Sequence, residues 1–282
     1  MSAGAQPGWP VGIHTYSYIW TLSARDTLGH LADQGYRLVE LLVNRPHLWP
    51  EELDAGERRA VAKLLSDRGL RVEVLNPPSL DLNLVSPSPQ MRAMTRAHYR
   101  GVIELAADWG VPWVLVVPGK THPLLPAPSE LVWGWFEEAV TELDRLAEDR
   151  GLGILLENIP MAFLPTADGL MQAIDRLGND RLGICYDAAN ATFVGESPGA
   201  GLRRAAPRVK VVHLSDTGLA KWDHACIGTG VVKFDEVAAA MRETGLQVPT
   251  MLEIISPDGD RDIRRSHAAI AGLGWEAVPN GA

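Results

Sequence analysis

Five times along the chain a polar segment with helical spacing reaches a glycine, a short gap, and then a run of aliphatic side chains. The five are LADQGYRLVELLVN, LLSDRGLRVEVLN, LAADWGVPWVLVVPG, LAEDRGLGILLENIP and MRETGLQVPTMLEIIS. Glycine accepts the left-handed backbone just past a helix, so each phrase predicts a helix passing into a strand. The aliphatic runs are nearly continuous rather than alternating, which suits parallel strands covered on both faces. Counting them gives eight: VGIHTYSY from 11, LVELLVN from 38, RVEVLNP from 71, WVLVVPG from 113, ILLENIP from 154, LGICYDAAN from 182, VKVVHLSD from 209 and PTMLEIIS from 249. Helical segments fall between them at 51–69, 90–110, 130–151, 166–178 and 233–245, with room for only a short helix in SPGAGLRRAAP at 197–207. Eight strands alternating with helices predict an α/β fold, a closed (β/α)8 TIM barrel forming a single domain over residues 1–282, with loose tails at about 1–10 and 275–282.

Composition narrows the functions such a barrel could serve. With 282 residues and 46% hydrophobic content the chain can bury a large core. Its 26 basic and 35 acidic residues leave a formal charge of -9, which repels phosphate polymers and anionic lipid, so neither nucleic acid nor a membrane is an expected partner. No leader pattern or membrane-length apolar run is seen, and a cytoplasmic protein is the expectation. Cys185 and Cys226, the two cysteines, read as small buried hydrophobes kept reduced.

Barrel chemistry sits where the strands finish. Glu157 ends the fifth predicted strand, Asp187 the sixth, His213 lies near the end of the seventh and Glu253 lies in the eighth. Strand alternation pairs Leu155 with Glu157, Cys185 with Asp187, Val211 with His213 and Met251 with Glu253, so each polar side chain can point inward above an apolar one. Three carboxylates crowded together without a cation would repel and take up protons, which a divalent metal resolves. Oxygen donors with one nitrogen favour Mn2+, Mg2+ or Co2+ over a closed structural zinc site.

LLENIP, GICYDAAN, VVHLSDT followed by IGTGVVKF, and MLEI carry a resemblance to the xylose isomerase-like barrels, a family of sugar epimerases and isomerases, inosose dehydratase and dehydroshikimate dehydratases. The resemblance implies that Glu157, Asp187, His213 and Glu253 hold one divalent metal, Mn2+ foremost. It also implies that Glu157 and Glu253 serve as acid and base on opposite sides of a substrate, and that the protein is a dimer or tetramer. One departure stands out: where many members carry a histidine three residues after the metal-binding aspartate, this chain has Asn190. Asparagine exchanges hydrogen bonds but does not shuttle a proton near neutral pH.

Further residues expected to face the substrate are His14 and Tyr16 on the first strand, Glu40 on the second, Asn76 on the third, Lys120 after the fourth, Asn158 beside Glu157, and Trp222 and His224 after the seventh. Lys120 would meet a substrate carboxylate or carbonyl. A metal that polarises a carbonyl acidifies the neighbouring C–H, and a carboxylate removes the proton. The expected function is epimerisation or isomerisation of a ketose or related keto-polyol through a metal-stabilised enediolate. The alternatives are dehydration of a keto-cyclitol or a dehydroshikimate-like acid, and a sugar-binding barrel without catalysis.

Overall fold

The computed structural model describes residues 8–77 and 81–279. Most of the N-terminal tail, residues 280–282 and part of the proline-rich segment 76–89 therefore lie outside the described residues. Eight parallel strands close in chain order into a barrel: β1 Val11–His14, β2 Leu38–Leu42, β3 Arg71–Asn76, β4 Trp113–Val116, β5 Gly153–Glu157, β6 Gly183–Asp187, β7 Val209–Leu214 and β8 Thr250–Leu252. Around them run α1 Ala24–Asp33, α2 Ala55–Arg68, α3 Pro89–Trp109, α4 Ser129–Asp149, α5 Ala167–Leu177, α6 Ala188–Phe193, α7 Pro198–Ala205, α8 Phe234–Thr244 and α9 Gly259–Ala271. No helix among the described residues is long and apolar enough to cross a membrane.

Local chemistry sets these boundaries. Asp54 and Glu57 form a reciprocal capping box that starts α2, while Ser88 and Ser197 cap α3 and α7, each followed by a proline that has no N–H to leave unpaired. At the other end, α2, α3, α5 and α8 stop on Gly69, Gly110, Gly178 and Gly245, all with left-handed φ. Two boundaries depart from the sequence expectation. The first strand stops at His14 rather than running to 18, because the His14 imidazole accepts from the Tyr16 N–H and winds Thr15–Tyr18 into a 3-10 turn. The sixth unit holds two short helices rather than one, because Asp187 Oδ1 accepts from Asn190 N and starts α6 directly at the strand end.

Apolar side chains fill two layers. The larger lies between strands and helices, with Phe136, Ile103, Leu28 and Tyr186 among its buried members. A smaller one plugs the barrel interior with Leu38, Val74, Leu115, Leu155, Cys185, Val211 and Met251. The floor of that plug depends on missing side chains: a Cβ on Gly153 would strike the Trp113 ring, and one on Gly12 would meet Met251 and Leu38. The chain ends are tied by an isolated bridge in which Trp9 N bonds Gly274 O and Glu276 N bonds Trp9 O, both at 3.1 Å.

Candidate functional site

Above the apolar plug each strand end contributes one inward side chain: His14, Glu40, Asn76, Val117, Glu157, Asp187, His213 and Glu253, all buried. Parallel pairing places them side by side. Asp187 aligns with His213 across β6 and β7, and Glu157 aligns with Cys185 across β5 and β6. Glu253 lies one residue past β8, its N–H bonded to Leu214 O at 3.1 Å. Ligand-type atoms of Glu157, Asp187, His213 and Glu253 fall within 4.8 Å of one another.

His213 is the hub of this group. Its Nδ1 lies 3.0 Å from Glu157 Oε1, 3.0 Å from Glu253 Oε2 and 3.7 Å from Asp187 Oδ2. Its Nε2 lies 2.9 Å from Glu40 Oε2, and the other Glu40 oxygen accepts from Asn76 Nδ2 at 2.8 Å. An ionised carboxylate can only accept, so Glu40 keeps the hydrogen on Nε2 and turns Nδ1 toward the three acids. Asn76 Nδ2 also lies 3.2 Å from His14 Nε2, which extends the support to β1.

Burial and neighbours split the carboxylates apart. Burial pushes Glu157 up to about 7 against the opposing pull of His213, and it pushes Asp187 up to about 6 against His224. Burial acts on Glu253 in the same direction, but His224, His213 and His14 together outweigh it and hold that carboxyl well below the usual range. Glu40 is likewise lowered, His213 overcoming its burial.

A divalent cation fits the residues present. Asp187 Oδ2 and Glu253 Oε2 are buried without a hydrogen-bond partner among the described residues. An N–H at Nδ1 of His213 can aim at only one carboxylate, and it is Glu157 that has the hydrogen-bond geometry. Unpaired buried carboxylate oxygens cost on the order of 1–3 kcal/mol or more each. Three carboxylates and one imidazole nitrogen are the donor set of a hard divalent ion. Glu157, Asp187, His213 and Glu253 can hold it.

A cavity of about 370 Å³ opens over the cluster. Glu157, Glu253, Asn76, Tyr16, Asn190, Trp222 and His224 line it, together with Trp20, Asn44 and Asp81, which sequence reasoning missed because they lie on loops without periodic pattern. No lysine or arginine is among the described residues lining it. Asn190 accepts from Trp222 Nε1 at 2.7 Å, and His224 Nδ1 lies 2.9 Å from Ser215 Oγ and 3.5 Å from Glu253 Oε2.

Four residues expected at the substrate stand elsewhere, one of them Glu40, which is fully buried against His213 and Asn76 and does not line the cavity. His14 is fully buried behind the cavity, where its ring nitrogens meet Tyr16 N and Asn76. Asn158 clamps the Asp187 main chain, its Oδ1 accepting from Asp187 N at 2.8 Å and its Nδ2 donating to Asp187 O at 2.9 Å. Lys120 is half-buried outside the lining residues, with its main chain fastened to the Asn83 side chain.

Asp216 is a further residue the sequence did not single out. Its carboxylate accepts from Thr217 N, Gly228 N and Val232 N at 2.9 to 3.0 Å, and its main chain pairs with Ala225. Those bonds close the 217–232 excursion that carries Trp222 and His224. A Cβ on Gly230 would collide with the same carboxylate, so the second glycine of IGTG makes room for Asp216.

Comparison with known proteins places the barrel. The profile of the xylose isomerase-like TIM barrels matches residues 28–275. The chain is 26% identical over 194 residues to the xylose isomerase of Thermus thermophilus, covering 62% of this chain and 49% of that enzyme. It is 19% identical over 230 residues to the fructoselysine 3-epimerase of Shigella flexneri, covering 80% and 83%. The chain spans about half to three fifths of the length of the first curated relatives it matches. Among solved structures, a D-tagatose 3-epimerase-like protein superposes with a TM-score of 0.81 at 22% identity, covering 94% of this chain and 96% of that one, a likeness of fold.

Proposed function

The chain belongs to the xylose isomerase-like TIM barrel family, and from that premise we propose that it is a divalent-metal-dependent epimerase or isomerase of an unphosphorylated ketose or related keto-polyol. The observation that carries this reading is the convergence of Glu157, Asp187, His213 and Glu253, with two carboxylate oxygens buried and unpaired, at the floor of a small-molecule cavity. Epimerisation is favoured over isomerisation by extent: the match spans 83% of the fructoselysine 3-epimerase against 49% of the xylose isomerase.

What a divalent cation supplies when bound there is Lewis-acid polarisation of a carbonyl and neutralisation of developing negative charge. The rest is the work of the chain. Glu157 and Glu253 arrive from β5 and from just past β8, on either side of the strands bearing Asp187 and His213, and supply base and acid. One carboxylate takes the proton from the carbon beside the carbonyl, and the other returns a proton to the opposite face, with the roles exchanged in the reverse direction. Tyr16 and Trp222 present ring surfaces to the sugar, while Asn76 and Asn190 offer amides to its hydroxyls. No lysine or arginine is among the described residues lining the cavity, so a phosphate or carboxylate would meet no permanently charged side chain beside the cation, which weighs against the dehydroshikimate-like alternative.

Metal-loaded protein incubated in heavy water with neutral ketoses and keto-cyclitols tests the proposal. Deuterium at the carbon beside the carbonyl, without loss of water, is expected. Enone absorbance would replace the reading with dehydration, and metal-dependent sugar binding without exchange would replace it with a non-catalytic barrel.

A further inference from the structure

Cys185 lies in the apolar plug, one inward position below Asp187 and level with Glu157 across the β5–β6 pair. It is fully buried, and its Sγ lies within 4.8 Å of a ligand atom of Glu157 and of one of His213, which in turn lie that close to each other. Tetrahedral zinc, with Zn–S of about 2.3 Å and Zn–N or Zn–O of about 2.0–2.2 Å, holds neighbouring ligand atoms roughly 3.3–3.7 Å apart. Thiolate, imidazole and carboxylate at this spacing need only small side-chain adjustments to close on such an ion. The second cysteine has no comparable setting: Cys226 Sγ lies 3.6 Å from Asp262 O and receives the Ser266 hydroxyl at 3.5 Å, and no metal-ligand group among the described residues includes it.

We propose that Cys185, Glu157 and His213 form a second cation site, one layer deeper than the first, that takes thiophilic divalent ions of the zinc and cadmium class. The two sites draw on the same Glu157 and His213. Filling the deeper one withdraws those side chains from Asp187 and Glu253, so a thiophilic ion competes with a hard one instead of adding to it. Ligand softness decides which site is filled: three carboxylates and an imidazole suit manganese or magnesium, whereas a sulfur donor in a dry pocket suits zinc or cadmium. Coordination replaces the S–H bond with a metal–sulfur bond and releases the proton to solvent, with no change of oxidation state. Competition rests on the cation-binding part of the function proposed above, whereas the sulfur–metal bond can be measured without it.

Reduced, metal-stripped full-length protein titrated with Cd2+ and followed by sulfur-to-cadmium ultraviolet absorbance tests this. Cys226→Ser leaves Cys185 as the sole thiol of a chain with two cysteines. The expected result is a charge-transfer band saturating at one equivalent in Cys226→Ser and suppressed by excess Mn2+. Cys185→Ser should lose the band, keep its Mn2+ affinity, and bind Cd2+ more weakly by at least the roughly 10- to 100-fold that loss of mere outer-shell support costs a metal site. No band in Cys226→Ser, a band unchanged in Cys185→Ser, or a band indifferent to Mn2+ in protein that does bind Mn2+ would overturn the proposal. Should Cys185→Ser fail to fold, Cys226→Ser decides alone. A protein that forms the band yet binds no Mn2+ refutes the function proposed above and leaves the sulfur-ligated site standing.

Discussion

The two halves of the barrel mouth are built from similar residue types and brought to different ends. On β1 to β3, His14, Glu40 and Asn76 bond to one another and, through Glu40, to His213 at 2.9 Å. From β5 to β8, Glu157, Asp187 and Glu253 crowd around the other nitrogen of the same imidazole, and two of their oxygens find no hydrogen-bond partner among the described residues. Polar groups that satisfy each other stiffen a structure, while groups left buried and unsatisfied are poised for something that is not protein. His213 belongs to both halves, its Nε2 anchored in the first and its Nδ1 offered to the second.

Removing a carboxylate from the unsatisfied half should have the largest effect. Glu157→Gln and Glu253→Gln each keep shape but lose the ability to carry a proton. Deuterium exchange into a turned-over ketose should fall by about 10²–10⁴-fold in either variant. Calorimetry should show weaker divalent-ion binding in both as well. A variant that retained exchange would show that its carboxylate only binds the ion, and that acid–base work lies elsewhere in the mouth.

Glu40 sharpens the contrast from the other side. Glu40→Ala leaves the Nε2–H of His213 and the amide of Asn76 without their acceptor in a fully buried place. A stability loss of about 1–3 kcal/mol is expected from chemical unfolding, with metal affinity weakened by about 10- to 100-fold. Glu40→Gln keeps one acceptor and should recover most of the stability but less of the affinity, because a neutral amide does not make the imidazole as basic. If both variants lost stability and kept metal affinity, the satisfied half would be scaffold alone.

Much of this was legible in the sequence, for reasons that differ by residue. The helix–glycine–strand phrases reported the barrel because left-handed caps and doubly covered strands each leave a local signature, visible at Gly69, Gly110 and Gly245. Glu157 and Asp187 stood out because each interrupts an apolar run at a strand end. Period-two alternation placed them on the inner face without any knowledge of the loops. The partners of Asn158 and His14 were not legible, since whether an amide or imidazole turns to a cavity or to a neighbouring main chain depends on contacts made across strands. Asp216 was hidden for the same reason. Its three backbone donors lie up to 16 residues away.

The halves should also answer differently to pH in metal-free protein. Glu157 and Asp187 hold protons more tightly when folded, rising from 4.5 to about 7 and from 3.8 to about 6. A group whose folded pKa is raised contributes stability that is complete below its unfolded pKa and lost as pH climbs through the folded one. Stability of the stripped protein should therefore decline between about pH 4 and about pH 7. Glu253, held low, contributes in the opposite sense and loses its share only in strong acid. Saturating Mn2+ should remove the neutral-range decline and raise the melting temperature most at the alkaline end, as thermal scans at a series of pH values can check. An equal decline with and without the ion would place the protons outside the four-residue cluster.

The smallest expected effect lies at the rim, where the comparison gives way to substrate. Trp222 donates its indole N–H to Asn190 Oδ1 at 2.7 Å and is half-buried, its ring 5.8 Å from that of His224. Trp222→Phe keeps an aromatic face and removes the donor, freeing Asn190 to turn its amide. A neutral hydrogen bond contributes about 0.5–1.5 kcal/mol, so KM should rise by roughly 2- to 12-fold with kcat nearly unchanged. The split matters more than the size. Trp222 contacts neither Glu157 nor Glu253 by hydrogen bond, so a residue that only shapes the ground state should leave the proton-transfer step alone. A fall in kcat at constant KM would move Trp222 and Asn190 into the proton-transfer machinery, and would make the asparagine that stands three residues after Asp187 a positioning group for the reacting carbon.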